Sequence, residues 1–308
     1  LMIMAQIPFG PDVHTGLAGI WGVIPLQIVR VDTGLLLVFA LGSLGLYGAA
    51  LAGWSSNNRF ALLGGLRASA QGVSYEIALG LTAVGILIAC GTTELSQLVA
   101  QQSGTALGGM LPRWGIFLQP FGAMLFLVAA IAETKRVPFD LPEGESEIIG
   151  YFVEYSSMQF GMFMLGEFIE IIVLSALFTT LFLGGWQLPW VLGDHLLNLG
   201  FTTVALGPWQ YGLAGMAVFG SKVFLLCALQ LQIRWTLPRF RYDQLMHLGW
   251  KGLLPLALLN IFVTAALVFK DPGLDMLVSF GLVQIALFIL VTIAGPRRIA
   301  AEPAHAGH

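Results

Sequence analysis

Long apolar runs set the rhythm of this chain. Each is about 20 residues, the length an α-helix needs to cross the hydrocarbon of a bilayer, and each is closed by polar, glycine or proline positions. The pattern predicts seven complete spans, at about 34–54, 73–92, 114–132, 159–184, 212–233, 252–270 and 274–294. Residues 1–9 (LMIMAQIPF) read as the tail of an earlier helix whose beginning is absent. The alternating ten-residue segments of an outer-membrane barrel do not occur. The fold expected is all-α, a polytopic transmembrane helical bundle. One transmembrane domain is expected over 1–296, with a short disordered tail over 297–308.

Composition strengthens this reading. The chain is 57% hydrophobic and 10% charged, with a mean hydropathy of +0.83, whereas a soluble domain carries about 25% charge. Cys90 and Cys227 stand singly inside predicted spans and form no metal or redox spacing. The five histidines are scattered, and no nucleotide loop, zinc spacing or nucleophile elbow is found.

Charge placement orients the bundle. Connections alternate sides, and one side holds ten Lys and Arg residues against three on the other, with Lys222 inside a span. The positive-inside bias places the basic side in the cytoplasm. Three connections meet there: 55–72 (SSNNRFALLGGLRASAQG), 133–158 and 234–251 (RWTLPRFRYDQLMHLGWK). Together they are expected to enclose one polar cavity.

The middle connection concentrates the acid. AETKRVPFDLPEGESEIIGYFVEYSSMQF, from Ala132 to Phe160, holds Glu133, Asp140, Glu143, Glu145, Glu147 and Glu154 against Lys135 and Arg136. Pro138 and Pro142 flank Asp140 and each fixes φ, which favours a rigid turn over a floppy one. Glu133 closes the 114–132 span and Glu76 opens the 73–92 span. Glu167 falls about 12 Å into its span, and Glu170 is one turn deeper on nearly the same face. A lone charge at that depth is costly unless it is paired or hydrated. Glu167 is therefore either a member of a proton relay or one half of a buried ion pair, for which Lys222 is the possible intramembrane partner. Glu170 carries the same two alternatives. Arg239-Phe240-Arg241-Tyr242-Asp243 mixes charge and aromatics tightly enough to suggest a packed, paired structure beyond the span that ends near Arg234.

These stretches resemble a known family. AETKRVPFDLPEGESEIIGYFVEYSSMQFGMFMLGEF is similar to the signature of the H-type membrane component of complex I, the NADH-quinone oxidoreductase, whose mitochondrial equivalent is NADH dehydrogenase subunit 1. GWSSNNRFALLGGLRASAQGVSYE and RWTLPRFRYDQLMHLGWK resemble its other two loop signatures, in the same order. The resemblance implies a membrane-arm subunit of a proton-translocating enzyme complex, with no catalytic residue, redox centre, metal or cofactor of its own. Quinone, ubiquinone included, would be the substrate of the complex. The partners implied are the other membrane-arm subunits, the quinone-proximal subunits of the peripheral arm, quinone and lipid, with no nucleic acid. A multi-pass location in the cell inner membrane follows.

Carried over by motif, the coupling path would include Glu76, Glu133, Glu143, Glu145, Glu147, Glu154 and Glu167. Arg136 and Asp140 would shape the loop, and Arg234, Arg239, Arg241 and Asp243 the arm junction. The family pattern begins with a further helix and a basic, glycine-rich connection that do not appear here. The chain is thus expected to be N-terminally incomplete and not to complete the quinone chamber by itself. The alternative is the homologous membrane subunit of a group 4 hydrogenase or formate-hydrogenlyase type complex, from which GESEIIGYFVEYSS and RFRYDQLMHLGW differ.

Overall fold

A computed structural model describes residues 2–14, 23–106, 111–140, 150–152, 154–187, 191–192, 196–198, 203–205, 207–271 and 273–294. The protein is an all-α, multi-pass helical bundle. Its helices are α1 (Gly34–Ser55), α2 (Arg59–Cys90), α3 (Leu95–Gln101), α4 (Gly115–Leu118), α5 (Pro120–Glu133) and α6 (Met158–Phe182), then α7 (Pro208–Thr236), α8 (Tyr242–His247), α9 (Leu254–Lys270) and α10 (Asp275–Ala294). Among the described residues, six helices are long and apolar enough to cross a membrane, and α5 is a shorter apolar one.

The predicted spans fall on these helices, but the connections on the basic side are shorter than expected. Helix α2 begins at Arg59, so the first connection shrinks from 55–72 to residues 56–58. Asn58 caps the helix by accepting from the Phe60 N–H at 2.9 Å. Of the polar residues that made 59–72 read as a loop, Gln71 is turned inward and fully buried, Arg67 and Ser69 are half-buried, and Arg59 is exposed. Likewise α8 and a π-helical turn, Leu248–Leu253, run into α9, leaving 237–241 as the third connection. The expected helical tail over 1–9 is instead one 3-10 turn, Met4–Gln6. Ile7 beyond it packs with Val99, Ala176, Trp186 and Phe219.

The span expected at 114–132 is broken. Gln119 sits between α4 and α5 with φ −143° and ψ 67°. Pro120 follows, with no N–H to donate and a ring that blocks the preceding turn. Elsewhere the connections make small antiparallel pairings: Val13–His14 with Val23–Ile24, Thr105–Ala106 with Leu111–Pro112, and a three-stranded unit of Val191–Leu192, Leu196–Asn198 and Thr203–Ala205.

Packing follows the rules of a bilayer. Large apolar side chains face outward, such as Leu44, Leu51, Phe224 and Phe262, while the interior of α2 is rich in small residues. Lipid is as apolar as these side chains, so helices gain mainly from close contact. At the α1–α2 crossing, a Cβ on Gly65 would lie 2.7 Å from the Ala49 carbonyl oxygen and 3.1 Å from Gly53 Cα. Only glycine permits that approach. Buried Tyr75, Ala78, Leu79, Ala83 and Ile86 then place α2 at the centre of the core, against α5.

Candidate functional site

The three segments read as basic-side connections do meet, the first through α2 and the third partly through α8 and the π turn. They pack on one another, however, and the described cavities are lined by neither 55–72 nor 234–251, so the single shared polar cavity expected from the sequence is not formed by them. Gln71 on α2 donates to the carbonyls of Ala132 (2.7 Å) and Phe139 (2.9 Å), clasping both ends of the turn that leaves α5. Phe139 stacks on Phe240 with ring centroids 5.6 Å apart, and the Phe240 N–H donates to the Pro138 carbonyl. Arg239 closes the join with a 2.6 Å ion pair to Asp140. Arg67 lies over the Tyr242 ring. Tyr75 on α2 donates to the Leu245 carbonyl, and Trp250 in the π turn donates to Ser74. Each link joins segments far apart in sequence, so the turn around Asp140 is held from three sides.

This frame presents the carboxylates. Glu133, the last residue of α5, is 9% exposed, and its Oε2 has no hydrogen-bond partner. It lines a cavity of about 70 Å³ together with Glu76 from α2 and Glu170 from α6. A second, larger cavity of about 560 Å³ opens between α1 and α6, walled by Lys135, Tyr151, Glu167 and Glu170 among apolar side chains. The two cavities share four wall residues: Ile3, Gly42, Glu170 and Val173. The acidic groups therefore form a seam from the end of α5 to the middle of α6.

Glu167 is compensated in place. Arg136 Nη2 lies 2.7 Å from its Oε2, and the Tyr151 hydroxyl donates to its Oε1 at 3.1 Å. Arg136 also covers the Phe168 ring. The pairing expected with Lys222 is not formed. Lys222 Nζ instead donates to the carbonyls of Leu183 (2.7 Å), Gly185 (2.9 Å) and Gln187 (2.8 Å) and sits 4.3 Å from the Trp114 ring centroid. These acceptors lie beyond the C-terminus of α6, at its opposite end from the acidic turn. Helix α6 spends its own last carbonyls elsewhere, Thr179 on the N–H groups of Leu183 and Gly185 and Thr180 and Leu181 on the Gln102 amide, and the negative end of its dipole suits a cation just beyond it.

The remaining residues expected at the site divide. Glu154 is exposed and accepts from Asn58 rather than lining either cavity. Arg241 and Asp243 form a loose exposed pair at 3.9 Å. Arg234 is half-buried in the last turn of α7. Glu143, Glu145 and Glu147 lie outside the described residues. Glu170, which no loop signature covers, is the carboxylate common to both cavities. Its one-turn offset from Glu167 was the available signal. On the opposite side of the bundle, Arg30 joins Glu94 at 2.5 Å and Asp12 at 3.5 Å. The Glu94 hydrogen bond heads the effects that raise the Arg30 pKa above its ordinary value. Burial pushes Glu94 up, but hydrogen bonds from Ser96 and Arg30 overcome it and hold this carboxyl below its ordinary value.

Fold and site together define a multi-pass helical membrane protein with a loop-framed acidic seam entering the bundle. A family profile described as NADH dehydrogenase matches residues 1–265. Similar relatives include the H-type chain of NADH-quinone oxidoreductase from Flavobacterium psychrophilum, 43% identical over 86% of this chain and 72% of that one. An H-type chain of the same oxidoreductase from Geobacter metallireducens is 43% identical over 86% of this chain and 70% of its own length. NADH-quinone oxidoreductase subunit 8 from Rhodothermus marinus is 44% identical over 77% and 68%. The chain belongs to the family of H-type membrane subunits of NADH-quinone oxidoreductase. It is thus a membrane subunit of an oxidoreductase complex, and its partners include other subunits of that complex.

Proposed function

We propose that this chain helps form the quinone chamber of a proton-pumping NADH-quinone oxidoreductase and carries the acidic path that couples quinone reduction to proton translocation. The observation that supports this most is the meeting of Glu76, Glu133 and Glu167 around two cavities with common walls. Electrons travel on other subunits. This chain supplies apolar walls for a hydrophobic tail in the larger cavity and a set of coupled carboxylates beside it. Closely spaced carboxylates titrate as a group. One charge gained or lost at the quinone therefore redistributes protons along the seam. Arg136 and Tyr151 set the resting state of Glu167, and the Arg239–Asp140 pair ties the seam to the loop at the arm junction. The peripheral-arm subunits dock on that basic side, which faces the cytoplasm of a cell inner membrane.

The test is Glu133→Gln in the assembled complex. Turnover with NADH and quinone falls at least about tenfold, while electron transfer to a water-soluble artificial acceptor and subunit assembly stay normal. Unchanged quinone turnover removes Glu133 from the path.

A further inference from the structure

Glu76 and Glu133 face the small cavity but not the large one; Glu167 faces the large one but not the small. Glu170 faces both, and among the described residues no other charged side chain does. We propose that Glu170 is the obligatory link of the acidic seam, the group that passes protons between Glu167 and Glu133. This rests on the coupling role proposed above and adds a member to it.

The geometry supports transfer in both directions. Glu167 and Glu170 are three residues apart on α6, so their side chains neighbour one another on one helix face. On the other side, Glu170 and Glu133 both line the cavity of about 70 Å³. That exceeds the roughly 10–15 Å³ that one water needs, so the space can hold water. Glu133 Oε2, buried and without a partner, lines that space. A buried acceptor with nothing to accept from calls for water or a proton. In the transfer, an O–H bond of Glu170 breaks as a cavity water takes the proton. That water yields a proton to Glu133 Oε2, forming a new O–H bond. Glu170 then regains a proton from the Glu167 side, so one proton has moved and Glu170 is unchanged.

Charge balance favours the same role. The groups facing Glu170 are Glu76 from α2, Glu133 from α5, Lys135 and Arg136 from the turn after α5, and Glu167 on its own helix. From α1 only apolar residues and glycine reach it. Four carboxylates against two bases leave two formal negative charges uncompensated in an apolar surround. Water and shared protons have to meet that excess. A carboxylate kept only as counter-charge to Lys135 would give no reason for the group to bridge two cavities.

The experiment compares Glu170→Gln, Glu170→Asp and Glu133→Gln in the assembled complex in native membranes. Glutamine keeps the shape of the side chain and one acceptor oxygen but cannot exchange a proton. Glu170→Gln lowers NADH-quinone turnover about tenfold or more, with the artificial-acceptor rate and assembly unchanged. Glu170→Asp recovers at least about a third of turnover. Glu133→Gln combined with Glu170→Gln is no worse than the weaker single variant, because serial links are not additive. Normal turnover in Glu170→Gln with a defective Glu133→Gln overturns the role of Glu170 and leaves the wider path standing. Normal turnover in both removes the path as well. Equal losses in Glu170→Gln and Glu170→Asp, or failed assembly of Glu170→Gln beside an intact but inactive Glu170→Asp, assign Glu170 to packing and overturn the proposal.

Discussion

Lys222→Met tests the correction that the structure makes to a natural sequence expectation. A lysine ten or more residues into a span suggests a carboxylate partner, yet three backbone carbonyls surround this ammonium at 2.7–2.9 Å, with the Trp114 ring on its remaining side. Hydrogen bonds to a charged group each contribute about 1.5–3 kcal/mol, and a partly desolvated cation–π contact about 0.5–2. Against this stands the desolvation of the ammonium, several kcal/mol if it were fully dry. Lys222 is half-buried and near the end of α6, so water meets part of that cost. Removing the side chain leaves three carbonyls to find water, at about 1–3 kcal/mol for each one that fails. A net loss of roughly 2–4 kcal/mol follows. The assay is thermal denaturation of the purified complex, with protease sensitivity at 183–187 and quinone turnover per assembled complex measured on the same sample. The expected result is lower stability, faster nicking and near-normal turnover. Lys222→Arg restores only part of the stability, because a planar fork cannot serve three convergent acceptors. Glu167→Gln gives no rescue. Unchanged stability with lost turnover, or rescue by Glu167→Gln, would refute the carbonyl-staple reasoning.

Two further outcomes follow from the ion pairs. Arg136→Met strands Glu167 and destabilises the complex by about 3–5 kcal/mol. Adding Glu167→Gln recovers more than about 1 kcal/mol in a double-mutant cycle read by thermal unfolding, and simple additivity would show that the 2.7 Å contact carries no coupling. The Arg30–Glu94 clamp is pH-dependent with a definite sign. Glu94 is held below its ordinary value of 4.5 in the folded protein. Its stabilisation is therefore complete above about pH 4.5 and is lost as the pH falls through the lower folded value. Hydrogen exchange around residues 92–97 should accelerate only in that acid range, and Glu94→Gln should abolish the dependence.

The membrane class, most of the spans and the place of Glu133 at the end of one of them were legible in the chain. A run of about 20 apolar residues has few alternatives to crossing a bilayer, and a glutamate at the end of such a run lies near its boundary wherever the helix packs. Helix ends were less visible. Gln71 looks like a loop residue until α5 and the turn after it supply its partners, the Ala132 and Phe139 carbonyls. Glu170 shows the remaining gap most clearly. Its spacing puts it on the Glu167 face, but spacing along one helix says nothing about which helices stand opposite. Only the approach of α2 and α5 brings Glu76 and Glu133 to the same small cavity. Lys222 makes the converse point. Its partners are main-chain oxygens, which every residue carries and no sequence distinguishes, so only the path of the backbone after α6 could decide that this cation is satisfied without a carboxylate.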